Sequence, residues 1–126
     1  MIAYLDTNVV KWLVALEHEQ ISKRAHKVLN KADLLVSPMV LLEIEFLHEI
    51  GRLRIGAAPI MEKLQLEIGL TVCDKPFSHI VENAWTEKWT RDPFDRLIVA
   101  HAMMNGVAPL ITSDEKIRAN YPNAVW

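Results

Sequence analysis

Four carboxylates sit at positions where their side chains could share one site: Asp6, Glu43, Asp95 and Asp114. Asp6 ends the apolar run Ile2-Ala3-Tyr4-Leu5. A run of that kind without helical spacing reads as a strand buried on both faces. The carboxyl rim of a parallel sheet is where ligands bind. Asp114 repeats the pattern behind Ala108-Pro109-Leu110-Ile111-Thr112. Each of these two, taken alone, fits a helix N-cap equally well, because Asp is favoured there. Asp92-Pro93-Phe94-Asp95 opens a helix with Asp92 as cap, Pro93 at the first helical position and Asp95 in the first turn. Capping accounts well for Asp92. It accounts less well for Asp95, which lines up with Val99 and Ala102 on a helix that is apolar nearly all round, so its side chain is expected in a crevice between elements.

Glu43 is the most informative of the set. At about 100° per residue it falls amid Met39, Val40, Phe46, Leu47 and Ile50, whereas Glu45 falls opposite, beside His48 and Glu49, and reads as solvated. A carboxylate in an apolar stripe is costly to bury unless it is paired or binds a metal, and a mid-helix residue cannot cap.

Carboxylates gathered in one crevice repel one another by about 4 kcal/mol per pair at roughly 4 Å and an effective dielectric near 20. Protonation or a cation relieves that. Hard oxygen ligands without histidine or cysteine select Mg2+ or Mn2+. The five histidines show no metal-ligand spacing, and His101, on an apolar helix, reads as a core residue. There is no glycine-rich phosphate loop and no Gly-x-Ser-x-Gly elbow. An acid-walled Mg2+ site suits phosphodiester hydrolysis, in which ions activate water and neutralise the scissile phosphate.

The elements that must position these groups alternate. After the first strand, Val9, Trp12, Leu13 and Leu16 predict a helix over Asn8 to Glu17, and Ser22 caps a second helix that turns Ala25, Val28 and Leu29 inward. Leu34-Leu35-Val36 is a strand, and Ser37-Pro38 starts a helix that Gly51 ends. A helix from Pro59 to Ile68 precedes the strand Leu70-Thr71-Val72. Another runs from Phe77 to Lys88 with Ile80, Val81, Ala84 and Trp85 facing inward, after a turn that includes Asp74. Asn105-Gly106 ends the helix of Asp95, a short helix follows Asp114, and Ala124-Val125-Trp126 reads as an edge strand. Strands alternating with helices predict an α/β fold with a mainly parallel central sheet and right-handed crossovers.

Residues 1–126 read as a single domain, long enough to bury a core without disulfides. The lone cysteine, Cys73, fits a reducing compartment, and no apolar run approaches the roughly 20 residues of a spanning helix, so a cytoplasmic protein without a membrane segment is expected. A formal net charge of -2 argues against binding duplex nucleic acid by charge alone. A nucleic-acid role would need a local patch or bridging ions.

Leu5-Asp6-Thr7-Asn8, Ser37 with Glu43, Asp92-Pro93-Phe94-Asp95-Arg96-Leu97-Ile98-Val99-Ala100 and Leu110-Ile111-Thr112-Ser113-Asp114 together resemble the PIN domain, and within it the VapC-type toxins of toxin–antitoxin pairs. The resemblance spans nearly the whole chain. It implies a Rossmann-like α/β/α sandwich, a Mg2+- or Mn2+-dependent ribonuclease acting on RNA, and an antitoxin that covers the acidic crevice; it also implies a homodimer. Asp6, Glu43, Asp95 and Asp114 match the family's acidic set, and Thr7 and Thr112 its hydroxyl positions, which would orient the acids or a bound water. Asp92 would support them from the edge. Lys88, Arg91, Arg96, Lys116 and Arg118 flank the acidic motifs, and Arg91, Arg96 and Lys116 lead as RNA contacts. Two other classes also fit aspartates at strand ends. One is a receiver-like or haloacid-dehalogenase-like phosphotransfer protein, which leaves Glu43 unexplained; the other is a non-catalytic binding module on the same fold.

Overall fold

The structure, a computed structural model, describes residues 1–126. Five parallel strands, β1 (Ile2–Leu5), β2 (Asp33–Val36), β3 (Thr71–Val72), β4 (Leu110–Ile111) and β5 (Ala124–Val125), form one sheet in the order β3-β2-β1-β4-β5. Seven α-helices flank it: α1 (Thr7–Val14), α2 (Lys23–Lys31), α3 (Pro38–Glu49), α4 (Ala57–Ile68), α5 (Phe77–Ala84), α6 (Pro93–Met103) and α7 (Glu115–Asn120). A short 3-10 turn at His18–Gln20 joins α1 to α2.

β1 is the central strand, and Ala3, Tyr4 and Leu5 are completely buried, as an unbroken apolar run requires. The chain builds outward from it through β2 to β3, then returns past β1 to lay down β4 on the other side. The strand order therefore reverses between β1 and β4, which opens a crevice at their carboxyl ends. Leu5 pairs with Ile111 and the Asp6 amide donates to the Ile111 carbonyl at 3.0 Å, so the register sets Asp6 beside Thr112 on that rim.

The helices begin where local chemistry says they should. Ser22 and Ser37 cap α2 and α3 by accepting from the amides of Ala25 and Met39, with Pro38 in the first turn of α3. Gly69 closes α4 in the left-handed conformation, φ +68°. Several helices are shorter than their apolar periodicity predicts. α1 stops at Val14 and leaves Leu16 exposed, and α5 stops at Ala84, so Trp85 lies on the surface and not in the core.

The face of α3 also differs from the periodic reading. Its core contacts are Val40 and Ile44, while Leu42, Phe46 and Ile50 are 54%, 48% and 50% exposed. Apolar residues surround this helix on nearly every side, so periodicity does not single out a buried face; packing against α1, α4 and α6 does. Glu45 is not simply solvated. Its Oε1 accepts from the Ala57 amide at 2.9 Å and so caps α4, whose own N-cap, Gly56, has no side chain to offer. A Cβ on Gly56 would come within 2.5 Å of that oxygen. Glu45→Ala is expected to cost about 1 kcal/mol, read from the urea midpoint. Gly56→Ala, which displaces that carboxylate and replaces glycine by a poorer N-cap, should cost more in the native chain than once Glu45 is absent, because only the native chain also loses the Glu45 cap.

Candidate active site

A crevice of about 280 Å³ lies at the reversal between β1 and β4, lined by Asp6, Thr7, Asn8, Lys11, Glu43, Leu47, Arg52, Asp92, Asp95 and Asp114. It brings the four carboxylates of the sequence pattern together, with Asp92 as a fifth. Leu47 is the only apolar side chain in the lining, so the cavity is built for charge and water and not for a hydrophobic ligand.

Three of the five acids are helix caps as well as crevice walls. Asp6 caps α1, its Oδ1 accepting from the Thr7 amide at 2.8 Å; Asp92 caps α6 through the amides of Phe94 and Asp95; Asp114 caps α7 through the Ile117 amide at 2.9 Å. Asp6 and Asp114 thus cap helices and line the crevice at once. A carboxylate has two oxygens, and one can cap while the other faces outward.

Hydroxyl groups fix the rest. Thr112 Oγ1 donates to Asp6 Oδ2 at 2.6 Å and itself accepts from the Asp114 amide at 3.1 Å, linking the two strand-end acids. Thr7 Oγ1 donates to Glu43 Oε1, tying α1 to α3 across the cavity. Glu43 stands at the border of the buried face of α3, half-buried, and reaches the crevice from there.

Burial dominates the electrostatics. Asp6 is pushed above the usual carboxylate range by loss of water, opposed by its bonds from Thr112 and Thr7, with Asp114 and Asp92 adding repulsion. Glu43 rises by burial too, against the Thr7 bond, with Asp6 and Asp92 repelling and Lys11 attracting. Asp95 has no hydrogen bond to counter its burial and feels Asp92, Asp6, Asp114 and Glu43 in turn; it is pushed up to about 7. Near neutral pH the crevice therefore holds protons or needs a cation.

The donor set is oxygen only, carboxylates and hydroxyls with no histidine or cysteine in the lining, which fits Mg2+ or Mn2+. No three acidic, histidine or cysteine side chains close into a tight cage.

Lys11 and Arg52 line the crevice and were not picked out from sequence. Lys11 carried a signal: it lies one helical turn after Thr7 and so on the same face of α1. Arg52, in the connection after α3, carried none. Of the predicted RNA contacts, none lines the crevice. Arg96 donates to the carbonyls of Ala84 and Trp85, Arg91 to that of Lys88, and Lys116 is exposed on α7. His101 is a wholly buried core residue whose Nδ1 contacts Ser37 Oγ and the Leu97 carbonyl; its Nε2 has no partner, and burial lowers its pKa.

A family model described as PIN domain matches residues 3–121. Curated proteins returned no sequence match. Among solved structures, the chain resembles VapBC2 from Rickettsia felis bound to a DNA fragment from their promoter, with a TM-score of 0.66 and 17% identity over 98% of this chain and 96% of that one. It also resembles a toxin-antitoxin complex from Klebsiella pneumoniae, with a TM-score of 0.64 and 17% identity over 98% and 96% of the two chains. VapBC-1 from nontypeable Haemophilus influenzae gives 0.61 and 20% identity over 94% of each. At these identities the likeness is one of fold.

Proposed function

The chain belongs to the PIN domain family, and from that premise we propose that it is a Mg2+- or Mn2+-dependent endoribonuclease of the VapC type, the toxin of a toxin–antitoxin pair. The observation that carries this reading is the crevice itself: five carboxylates against two cations, at the strand-order reversal of a parallel sheet.

Asp6, Glu43, Asp95 and Asp114 would hold the ion. The chemistry it supplies when bound is activation of the attacking water and neutralisation of charge on the scissile phosphate. Everything else falls to side chains of this chain. Thr112 and Thr7 hold the Asp6 and Glu43 carboxylates in place so that they do not have to be ordered at each turnover. Asp92 is held as the cap of α6 and sets the negative potential at the edge. Asp95, pushed up to about 7, is about half protonated at neutral pH, so a cation held there would be taken up with release of part of a proton. Lys11 and Arg52 offer the crevice's positive charges to the nonbridging oxygens of the substrate.

Two features support a protein partner. Among the structures it resembles, that from Klebsiella pneumoniae is a toxin-antitoxin complex, and the other two are VapBC2 and VapBC-1. In this chain Leu42, Phe46 and Ile50 form an exposed apolar stripe on the helix that carries Glu43, with Phe46 stacked on Phe94 at a ring separation of 6.4 Å. A small antitoxin seated there would reach over the crevice, and a second copy of the chain is the competing occupant. No helix is long and apolar enough to cross a membrane. The buried free thiol of Cys73 suits a reducing cytoplasm.

The test is cleavage of single-stranded and structured RNA by the purified chain with Mn2+ or Mg2+, beside an EDTA control. Metal-dependent fragments are expected. Intact RNA under every metal condition would overturn the nuclease reading.

A further inference from the structure

A second cleft of about 240 Å³ lies beside the acidic crevice, lined by Val81, Ala84, Trp85, Arg91, Pro93, Arg96 and Leu97. The two share a wall: Asp92 faces the crevice, and its chain neighbours Arg91 and Pro93 face the cleft. Trp85 follows the last residue of α5 and is 64% exposed, a large apolar surface to leave in water.

The two arginines are placed and keep their charge. Arg96 donates from Nε and Nη2 to the carbonyls of Ala84 and Trp85 at the end of α5, each at 3.2 Å. Arg91 donates to the Lys88 carbonyl at 3.2 Å. Carbonyls are neutral acceptors, so these bonds orient the guanidinium groups without neutralising them.

An exposed indole and two hydrogen-bonded guanidinium groups sharing one partly apolar cleft are the chemistry that takes a flat ring carrying a phosphate. We propose that this cleft binds an unpaired RNA nucleotide flanking the scissile phosphate, its base stacked on Trp85 and its phosphate against Arg91 and Arg96. The assignment rests on the nuclease reading for its place along the strand. It also answers a charge problem. A chain of net charge -2 with an acidic crevice repels RNA overall, and the cleft puts aromatic and cationic contacts directly next to that crevice. The fit to a single-stranded base also accounts for two exposed groups, Trp85 and Arg91, that the core does not need.

The experiment measures binding and cleavage separately. Binding is read by fluorescence anisotropy of a fluorescein-labelled single-stranded RNA oligonucleotide in Mg2+, in an Asp6→Asn background that holds the strand without cutting it. Adding Trp85→Ala should weaken binding about tenfold, and Trp85→Phe, which keeps a ring, should stay within about twofold. Arg91→Gln should lower the slope of log affinity against log salt by about one. Equal affinity for Trp85→Ala and its parent overturns the proposal and leaves Trp85 to a protein partner. Cleavage is read with Asp6 in place. A raised KM for Trp85→Ala at an unchanged kcat supports the subsite, and an unchanged KM overturns it. Absence of cleavage by the native chain overturns the nuclease reading alone, because the anisotropy arm decides the cleft on its own.

Discussion

Asp6→Asn is expected to cut RNA about a thousandfold more slowly than the native chain while melting no lower. The size follows from the way residues of one catalytic unit behave: removing any member forfeits most of what the unit supplies. The preserved fold follows from the contacts of Asp6. Asparagine keeps an oxygen to accept from the Thr7 amide, and its amide group can donate to Thr112 Oγ1, since a hydroxyl both donates and accepts. What is lost is one negative charge whose burial pushes its pKa upward, a charge the apo fold is better without. Glu43→Gln has the same logic, because the Thr7 hydroxyl can still donate to Oε1. Circular dichroism melting alongside the cleavage assay separates lost chemistry from lost structure. Undiminished cleavage by both variants would remove these carboxylates from the mechanism.

The second large effect is on stability. In EDTA the chain is expected to melt several degrees lower at pH 8 than at pH 5.5. The folded pKa of Asp95, about 7, lies above its unfolded value near 4, so its contribution is fully present below the unfolded value and is lost as pH rises through 7. Asp6 and Glu43 act in the same direction. His101 opposes them: its folded pKa is lowered, so its contribution is present above about 6.5 and is lost as pH falls below that. Asp95 is part-exposed and screened, so its share is set at about 1–2 kcal/mol and not at the full shift. Asp95→Asn should therefore flatten the pH profile in EDTA and raise the melting temperature at pH 8 by roughly 5 °C. Millimolar Mg2+ or Mn2+ should do the same for the native chain at pH 8, by a similar amount. The rise should shrink at pH 5.5, where protons compete for the same oxygens. No metal-dependent rise at pH 8 would exclude the cation site.

Much of this site was legible because its signals are local. Asp6 and Asp114 are acids at the ends of apolar strands, and Asp92-Pro93 is a helix start; each depends on residues within a turn or two. Glu43 was legible for a sound reason with the wrong details. A carboxylate on an apolar helix is conspicuous, but the face drawn around it is split: Val40 is buried, Met39 and Leu47 are half-buried and Phe46 and Ile50 are exposed, while Ile44, outside that face, is a core contact. Trp85 was misplaced because apolar periodicity continues past the point where α5 stops. Arg52 was invisible, since nothing in its own segment says that the connection after α3 folds back over the crevice.

The sequence by itself determined the alternation of strands and helices, the positions of the caps and which acids were candidates for a shared site. These follow from backbone preferences and side-chain chemistry that act over a few residues. The tertiary structure decided which acids share a cavity, since Asp6 meets Thr112 and Thr7 meets Glu43 only when the order β3-β2-β1-β4-β5 lays distant segments side by side. It also decided that Asp6, Asp92 and Asp114 cap helices and wall the crevice at once, that Lys11 and Arg52 supply its positive charge, and that Trp85 faces solvent beside it. Where a helix is apolar on all sides, only the partner it packs against selects the face that is buried, and no pattern within the helix carries that information.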